Sequence, residues 1–386
     1  MTRYGKYLTE KSLAHYLEIQ KDEECGGIFT AFNPDGSVAK NEKHVWYFGR
    51  SMWSYAMTYL HIEKKQEYLD MCERCFEFLK KIEFVDNRLP LWVTRDGKLF
   101  TEPKGVYNEG FVAIGCAQYY RICGREDVKE YAEKCFDIMY DGYFSLLDKR
   151  QNNPAEPVPT QVFGFNMAML KNAQFVRNAG IRVEKANELA TKCIERMNIH
   201  VDDELKMVLE HSPLPGYEVT KEMAHTCPGH VMEAAWFVLC EAEYRGDKEM
   251  ALFGKKLVDY SMPEGFENEI RLIPTAIPPH DPRNFARSET ILAWPQQEAI
   301  TTYSLAYQMF DEEKYKRLAG MIEKAAEEYF VDEELGRWYL NIQRSDPPAR
   351  ERKEKGPHTE GPFHLERMLI AMDILLTDGS IKRYIS

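Results

Sequence analysis

Two histidines stand at matching places in this chain. His230 follows the turn pair Pro228-Gly229 in "HTCPGHVMEAAWF", and His364 follows Gly361-Pro362 in "EGPFHLERMLIAM". Each sits at the mouth of an apolar helical run. The N-terminal end of a helix carries partial positive charge, which disfavours imidazolium, so both rings are expected to be biased towards the neutral form. A neutral imidazole near physiological pH accepts a proton, and the matching contexts raise the question whether the two rings face each other across one site. Taken singly, each ring is more often a hydrogen-bonded core residue; it is the pair in matching contexts that favours a shared site.

Other polar and aromatic groups recur at the starts of further helices. Arg50 lies among Trp46, Phe48 and Trp53, where it either stacks and ion-pairs or meets a ligand. Tyr107, with Asn108 and Glu109, opens another helix. Asn166 is alone in the apolar run "FGFNMAML" and either satisfies a buried backbone group or binds substrate. Glu233, one turn beyond His230, either orients that ring or binds a hydroxyl. In "WPQQEAI", Trp294 is part core and part platform, and Glu298 is either a solvated helix residue or a site group. Gathered on one face, these make a sugar-sized pocket with aromatic walls. No two histidines stand at i, i+4 and no HExxH occurs, so no metal site is expected. His225, His280 and His358 fall in loops and receive no role.

Helical periodicity dominates the chain, with apolar residues at i, i+3, i+4 and i+7. It predicts about twelve helices, near 8–20, 45–63, 66–83, 107–122, 126–140, 161–178, 184–198, 228–244, 247–261, 294–309, 311–329 and 362–376. Prolines 228, 295 and 362 fit helix starts, where no N–H is needed. "GGIFTAF", "LPLWVTRDGKLFT" and "GRWYLNI" read as short strands, the last two as hairpin material. No Gly-, Ser- or Pro-rich linker divides residues 1–386, so a single all-α domain is expected. Alternating helices with recurrent loop insertions point to an (α/α)6 barrel with short β hairpins in its loops. No fixed repeat supports a solenoid.

Composition narrows the function. With 44% hydrophobic residues the chain buries a large core, and a formal charge of −12 argues against nucleic acid, whose binding needs clustered Lys and Arg. The basic stretch "ARERKEKG" (349–356) is interspersed with Glu and reads as a solvated loop. No apolar run reaches the ~20 residues of a membrane span, and the N-terminus lacks a signal-type apolar segment. Nine scattered cysteines suggest a reduced, cytoplasmic protein. The lone CxxC, Cys72 to Cys75, lies in an amphipathic helix and reads as core.

The stretches "GGIFTAFNPDG", "HVWYFGRSMW", "PGHVMEAAWF", "WPQQEAI" and "GPFHLERML" together resemble the N-acylglucosamine 2-epimerase family, which includes renin-binding protein and the cellobiose 2-epimerases. They fall in family order and cover nearly the whole chain. The resemblance implies an (α/α)6 barrel, often dimeric, that epimerises a sugar at C2 with no metal or nicotinamide. It places the catalytic pair on His230 and His364, the substrate arginine on Arg50, and acidic partners on Glu233 and Glu298. There is a departure. The cellobiose and aldose–ketose isomerase branches carry a further histidine in the middle inner helix, where this chain has Ala168 with Asn166 nearby; this favours an N-acylated aldose, while "WPQQEA" leans to the cellobiose branch. The expected function is therefore inversion at C2 of a sugar such as N-acetylglucosamine or N-acetylmannosamine through an enolate. Alternatives are a mannose-type aldose–ketose isomerase, a cellobiose or mannose 2-epimerase, a barrel glycoside hydrolase using Glu233 and Glu298, and a non-catalytic sugar-binding protein.

Overall fold

A computed structural model describes residues 1–146, 160–213, 225–277, 289–332, 337–352 and 361–386. His280, His358 and part of the 349–356 stretch lie outside the described residues. The helices are α1 (Arg3–Tyr7), α2 (Leu13–Ile19), α3 (Val45–His61), α4 (Gln66–Leu79), α5 (Tyr107–Cys123), α6 (Glu126–Leu146) and α7 (Phe163–Asn178). They continue with α8 (Val183–Asn198), α9 (Pro228–Arg245), α10 (Lys248–Tyr260), α11 (Ala293–Phe310), α12 (Glu313–Phe330), α13 (His364–Asp378) and α14 (Lys382–Ile385).

Two kinds of helix alternate, and the sequence says why. α9 is buried almost without interruption from Pro228 to Ala242, because nearly every side chain there is apolar or small. α8 buries only Ala186, Leu189, Ala190, Cys193 and Met197, one stripe of an amphipathic helix. The uniformly buried helices α3, α5, α7, α9, α11 and α13 pack in sequence, and α13 returns to α3, closing an inner ring. The amphipathic helices α4, α6, α8, α10 and α12 each pack on the inner helix before them, and α1 packs on α13. This is the expected (α/α)6 barrel. No helix among the described residues is long and apolar enough to cross a membrane.

Short antiparallel strands set where three inner helices begin. Lys43–His44 runs directly into α3, Thr160–Val162 into α7 and Thr290–Leu292 into α11. Their partners are Trp92–Val93, His211–Pro213 and Asn341–Gln343 respectively. The Asp96-Gly97 hairpin expected in "LPLWVTRDGKLFT" is present, pairing Trp92–Val93 with Leu99–Thr101. "GRWYLNI" is different. Arg337–Trp338 pairs with Val331–Asp332, while Asn341–Gln343 pairs with Thr290–Leu292, so its two halves serve separate ladders. "GGIFTAF" makes only the isolated bridges Lys21–Ile28 and Phe32–Val38.

Two boundaries need correction. The first expected helix, 8–20, is α1, a π turn over Leu8–Ser12, and α2. The last begins at His364 rather than 362, because Phe363 leaves helical geometry to pack edge-on against Trp53 and Phe111 at 5.4 and 5.5 Å. Ser54 holds the Pro362 carbonyl just ahead of it at 2.9 Å. Pro228 does open α9.

Candidate active site

A cavity of about 290 Å³ opens at the N-terminal ends of the inner helices, with Arg50, Tyr107, Ala168, Glu233, Trp294, His230 and His364 on its walls. That is at the small end for ligand pockets, the scale of a monosaccharide. The two histidines share one platform. The Trp294 ring lies 5.3 Å from the His230 ring and 5.6 Å from the His364 ring, tilted to both. Local sequence makes this fit. A side chain at Gly229 would meet the Trp294 ring at 2.5 Å, so "PGH" opens α9 with the one residue that lets the indole lie against it.

The histidines differ in what stands behind them. His230 Nδ1 donates to Glu210, 3.0 and 3.1 Å from its two oxygens. Burial alone would lower the His230 pKa, but the Glu210 carboxylate outweighs it and raises the pKa well above the usual value, with Cys227 adding to the effect. Burial would likewise raise Glu210, yet His230 and the Gly164 N–H, 3.2 Å away, hold it below the usual carboxylate range. A side chain at Gly164 would strike the His230 ring at 2.7 Å, so this glycine makes room for the pair.

His364 Nδ1 lies 2.9 Å from Glu298 and 3.1 Å from Arg367. Here burial and the adjacent guanidinium act together and lower the pKa well below the usual value. The expectation that both rings are neutral therefore holds for His364 and not for His230, because a buried carboxylate outweighs the partial charge of a helix end.

Arg367 is the hub of the floor. Its guanidinium pairs with Glu233 and, at 2.6 Å, with Glu298, while Trp236 Nε1 donates to the other Glu298 oxygen at 2.9 Å. Glu298 thus supports His364 from behind the cavity wall. Arg50 is stacked among rings, with its guanidinium carbon 4.2 Å from Phe111, 4.5 Å from Phe363 and 4.9 Å from Trp46.

Asn166 is not brought to the cavity. Its amide accepts from Tyr143 Oη at 2.8 Å and donates to the Val162 carbonyl at 3.2 Å, so it braces the start of α7. Asn108 and Glu109 likewise hold the preceding loop, through Pro90 and Arg88. Cys72 and Cys75 are buried in the core, where desolvation raises both thiols.

Residues that sequence reasoning did not place at the site are Glu210, Lys171 and, as the hub of the floor, Arg367. Glu210 sits in "MVLEHS", fixed because its N–H donates to the His225 carbonyl and its own carbonyl accepts from Phe163, both at 2.8 Å. Nothing in the local pattern separates it from a surface glutamate. Lys171 lines the cavity floor with its ammonium 4.3 to 4.7 Å from the rings of Phe175, Trp236, Phe237 and Tyr384. Burial brings its pKa down to about 7. A polar residue within "FNMAMLKNAQF" was the available signal.

Among the described residues, two groups have ligand atoms within 4.8 Å of one another, as a metal site needs: Glu210, Cys227 and His230, and Glu233, Glu298 and His364. In each a cation already answers the acidic charge. Arg367 lies between Glu233 and Glu298, and Glu210 faces His230, whose pKa it raises.

Comparison with known proteins follows the same lines. N-acylglucosamine 2-epimerase from Bos taurus is 26% identical, over 96% of this chain and 89% of its own length. Cellobiose 2-epimerase from Ruminococcus albus is 23% identical over 90% of this chain and 92% of its own. The structure of cellobiose 2-epimerase from Spirochaeta thermophila superposes with a TM-score of 0.80 at 17% identity, over 97% of this chain and 96% of that one. The family model for N-acylglucosamine 2-epimerase (GlcNAc 2-epimerase) matches residues 27–359, and the chain belongs to that family.

Proposed function

We propose that this chain inverts C2 of an N-acylated aldose by passing a proton between His364 and His230. As a member of its family the chain is an isomerase, a sugar 2-epimerase. The observation that carries the assignment of roles is the opposite protonation bias of two histidines flanking one platform.

His364, kept neutral, donates Nδ1–H to Glu298 and leaves Nε2 to take the C2 proton of the open-chain sugar. The electron pair moves into C1–C2 and charge develops on the C1 oxygen, which Arg50 stabilises. His230, held as imidazolium by Glu210, returns a proton to the opposite face of C2. In the reverse direction the roles exchange. Trp294 carries the sugar face between the rings. Glu233 and Tyr107 border the same space and bind hydroxyls. Ala168 supports an N-acylated substrate, since it puts a methyl group on the cavity wall where the resemblance sets a histidine in the other branches. The nine free cysteines support a reducing, cytoplasmic setting.

The test is incubation in D2O with N-acetylmannosamine, N-acetylglucosamine, mannose, glucose and cellobiose separately, followed by proton NMR. The expected result is loss of the C2 proton signal and growth of the C2 epimer for the N-acetylated sugars. Ketose formation would make the chain an isomerase of the aldose–ketose kind. His230→Ala and His364→Ala are each expected to slow turnover by ~10²–10⁴-fold. Near-normal turnover in either removes that histidine from the mechanism.

A further inference from the structure

Beneath the catalytic floor lies a second cation. The Lys171 ammonium sits in a cage of rings, 4.3 Å from Phe175, 4.4 Å from Trp236 and 4.7 Å from both Phe237 and Tyr384. The residue is 3% exposed, and among the described residues no carboxylate comes within ion-pair distance of it. Lysine is rarely buried unless paired, and methionine or leucine would fill so apolar a space without the cost of desolvating a charge.

What the charge serves lies across the same rings. The Arg367 guanidinium carbon is 5.6 Å from Trp236 and 5.1 Å from Phe237, so the two cations stand within about 10 Å of one another. Above them, Glu233, Glu298 and His364 bring two carboxylate oxygens and a ring nitrogen within 4.8 Å of one another. Two carboxylates that close are both ionised only when positive charge matches them. Arg367 supplies one charge to both. With no second cation the cluster draws in a proton. Placed on His364, that proton makes the imidazolium. Placed on Glu298, it is donated to Nδ1 and shifts the ring proton to Nε2. Either way Nε2 no longer accepts from C2.

The other groups near Lys171 add no charge. Burial holds Cys240 of α9 and Tyr384 of α14 neutral, pushing the thiol up to about 12 and the phenol well above its usual value. That leaves Glu233 of α9, Glu298 of α11 and Arg367 of α13 acting on Lys171. His364 also feels Arg50 of α3 and His230 of α9. Glu210 answers His230, and Arg50 faces the C1 oxygen in the proposed reaction.

We propose that Lys171 is a positioning residue for His364: its ammonium is the second cation that lets Glu233 and Glu298 both stay ionised, so that Glu298 accepts from Nδ1 and Nε2 stays bare. This rests on the reading of His364 as a base of the epimerisation and adds to it a residue that acts through Glu298.

Nitrogen-15 NMR of the histidine rings between pH 8 and pH 5 tests it in wild type and Lys171→Met, with the His364 signals assigned by their loss in His364→Asn. Methionine is close in volume to lysine and suits a cage of rings. Wild type is expected to keep Nε2 of His364 unprotonated throughout. In Lys171→Met a proton is expected on Nε2 within that range, a rise of about one pH unit or more, the worth of one buried charge at about 10 Å. Burial brings Lys171 down to about 7, so its charge is full below that pH and fades above it. The variant's kcat/KM for N-acetylmannosamine is therefore expected to fall about tenfold at pH 6 and to approach wild type at pH 8, whereas packing damage alone lowers it evenly. The NMR comparison needs no turnover and decides by itself. Should Lys171→Met not fold, Lys171→Gln carries the same comparison. Nε2 equally bare in wild type and the neutral variant overturns the inference and leaves the epimerase reading standing. A proton on Nε2 of wild-type His364 at pH 7 overturns its role as the base, and this inference with it.

Discussion

The chemistry of the site turns on what each histidine has behind it. His230 backs onto Glu210, with Cys227 beside it and no cation, whereas His364 backs onto Glu298 together with Arg367. One extra guanidinium separates a ring that holds its proton from one that gives it up. Glu210→Gln removes the charge that offsets burial at His230, so the His230 pKa falls. The acid form is then scarce at neutral pH, and turnover is expected to drop by ~10²-fold at pH 8 and to recover partly as pH is lowered. A pH profile of kcat for the variant beside wild type checks this, and parallel profiles would show that Glu210 does not set the proton on His230. Both histidines were legible in the sequence through their turn-then-helix contexts. Their difference was not, since Glu210 comes from a strand connection whose partners lie elsewhere in the chain.

Among the elements, the inner helices α3 and α5 approach so closely that glycine is required on both. A Cβ at Gly49 would fall on the Phe111 carbonyl, and one at Gly115 would fall on the Gly49 backbone. Backbone atoms of packed helices cannot step aside as a flexible side chain can. Gly115→Ala is therefore expected to destabilise the protein by about 1–3 kcal/mol. It should also lower kcat/KM, because prising α3 from α5 moves Arg50, the neighbour of Gly49. Chemical denaturation with parallel kinetics measures both, and an unchanged midpoint would mean the two helices separate freely. The periodic pattern located nearly every helix to within a few residues, since a buried stripe or face is a local property of the sequence. It missed the partners of the short strands. Asn341–Gln343 pairs with Thr290–Leu292 about fifty positions earlier, and period-two patterning says where a strand lies but not what it joins.

For the whole molecule, enclosing four further histidines has a consequence for stability. Burial lowers His15 and His200 to about 4, and His44 and His61 to about 3. Between those values and the usual 6.5 the unfolded chain binds more protons than the folded one. Stability is therefore lost as pH falls through this window. The melting temperature is expected to decline steadily from about pH 6.5 to pH 4, ahead of the titration of ordinary carboxylates. A flat melting temperature across that range would show these rings to be solvated in the native state.

The sequence by itself determined the helices, their alternation of fully buried and amphipathic types, and hence the ring. Each of those follows from residues within a few turns of one another. It also determined that His230, His364, Arg50 and Trp294 stand at or near helix starts, which a parallel inner ring must gather. Only the tertiary structure decided which carboxylate meets which histidine, and that Asn166 turns away to Tyr143 and Val162. Protonation and specificity depend on groups a few ångströms apart in space and tens to hundreds of residues apart in the chain, and no local pattern encodes that distance.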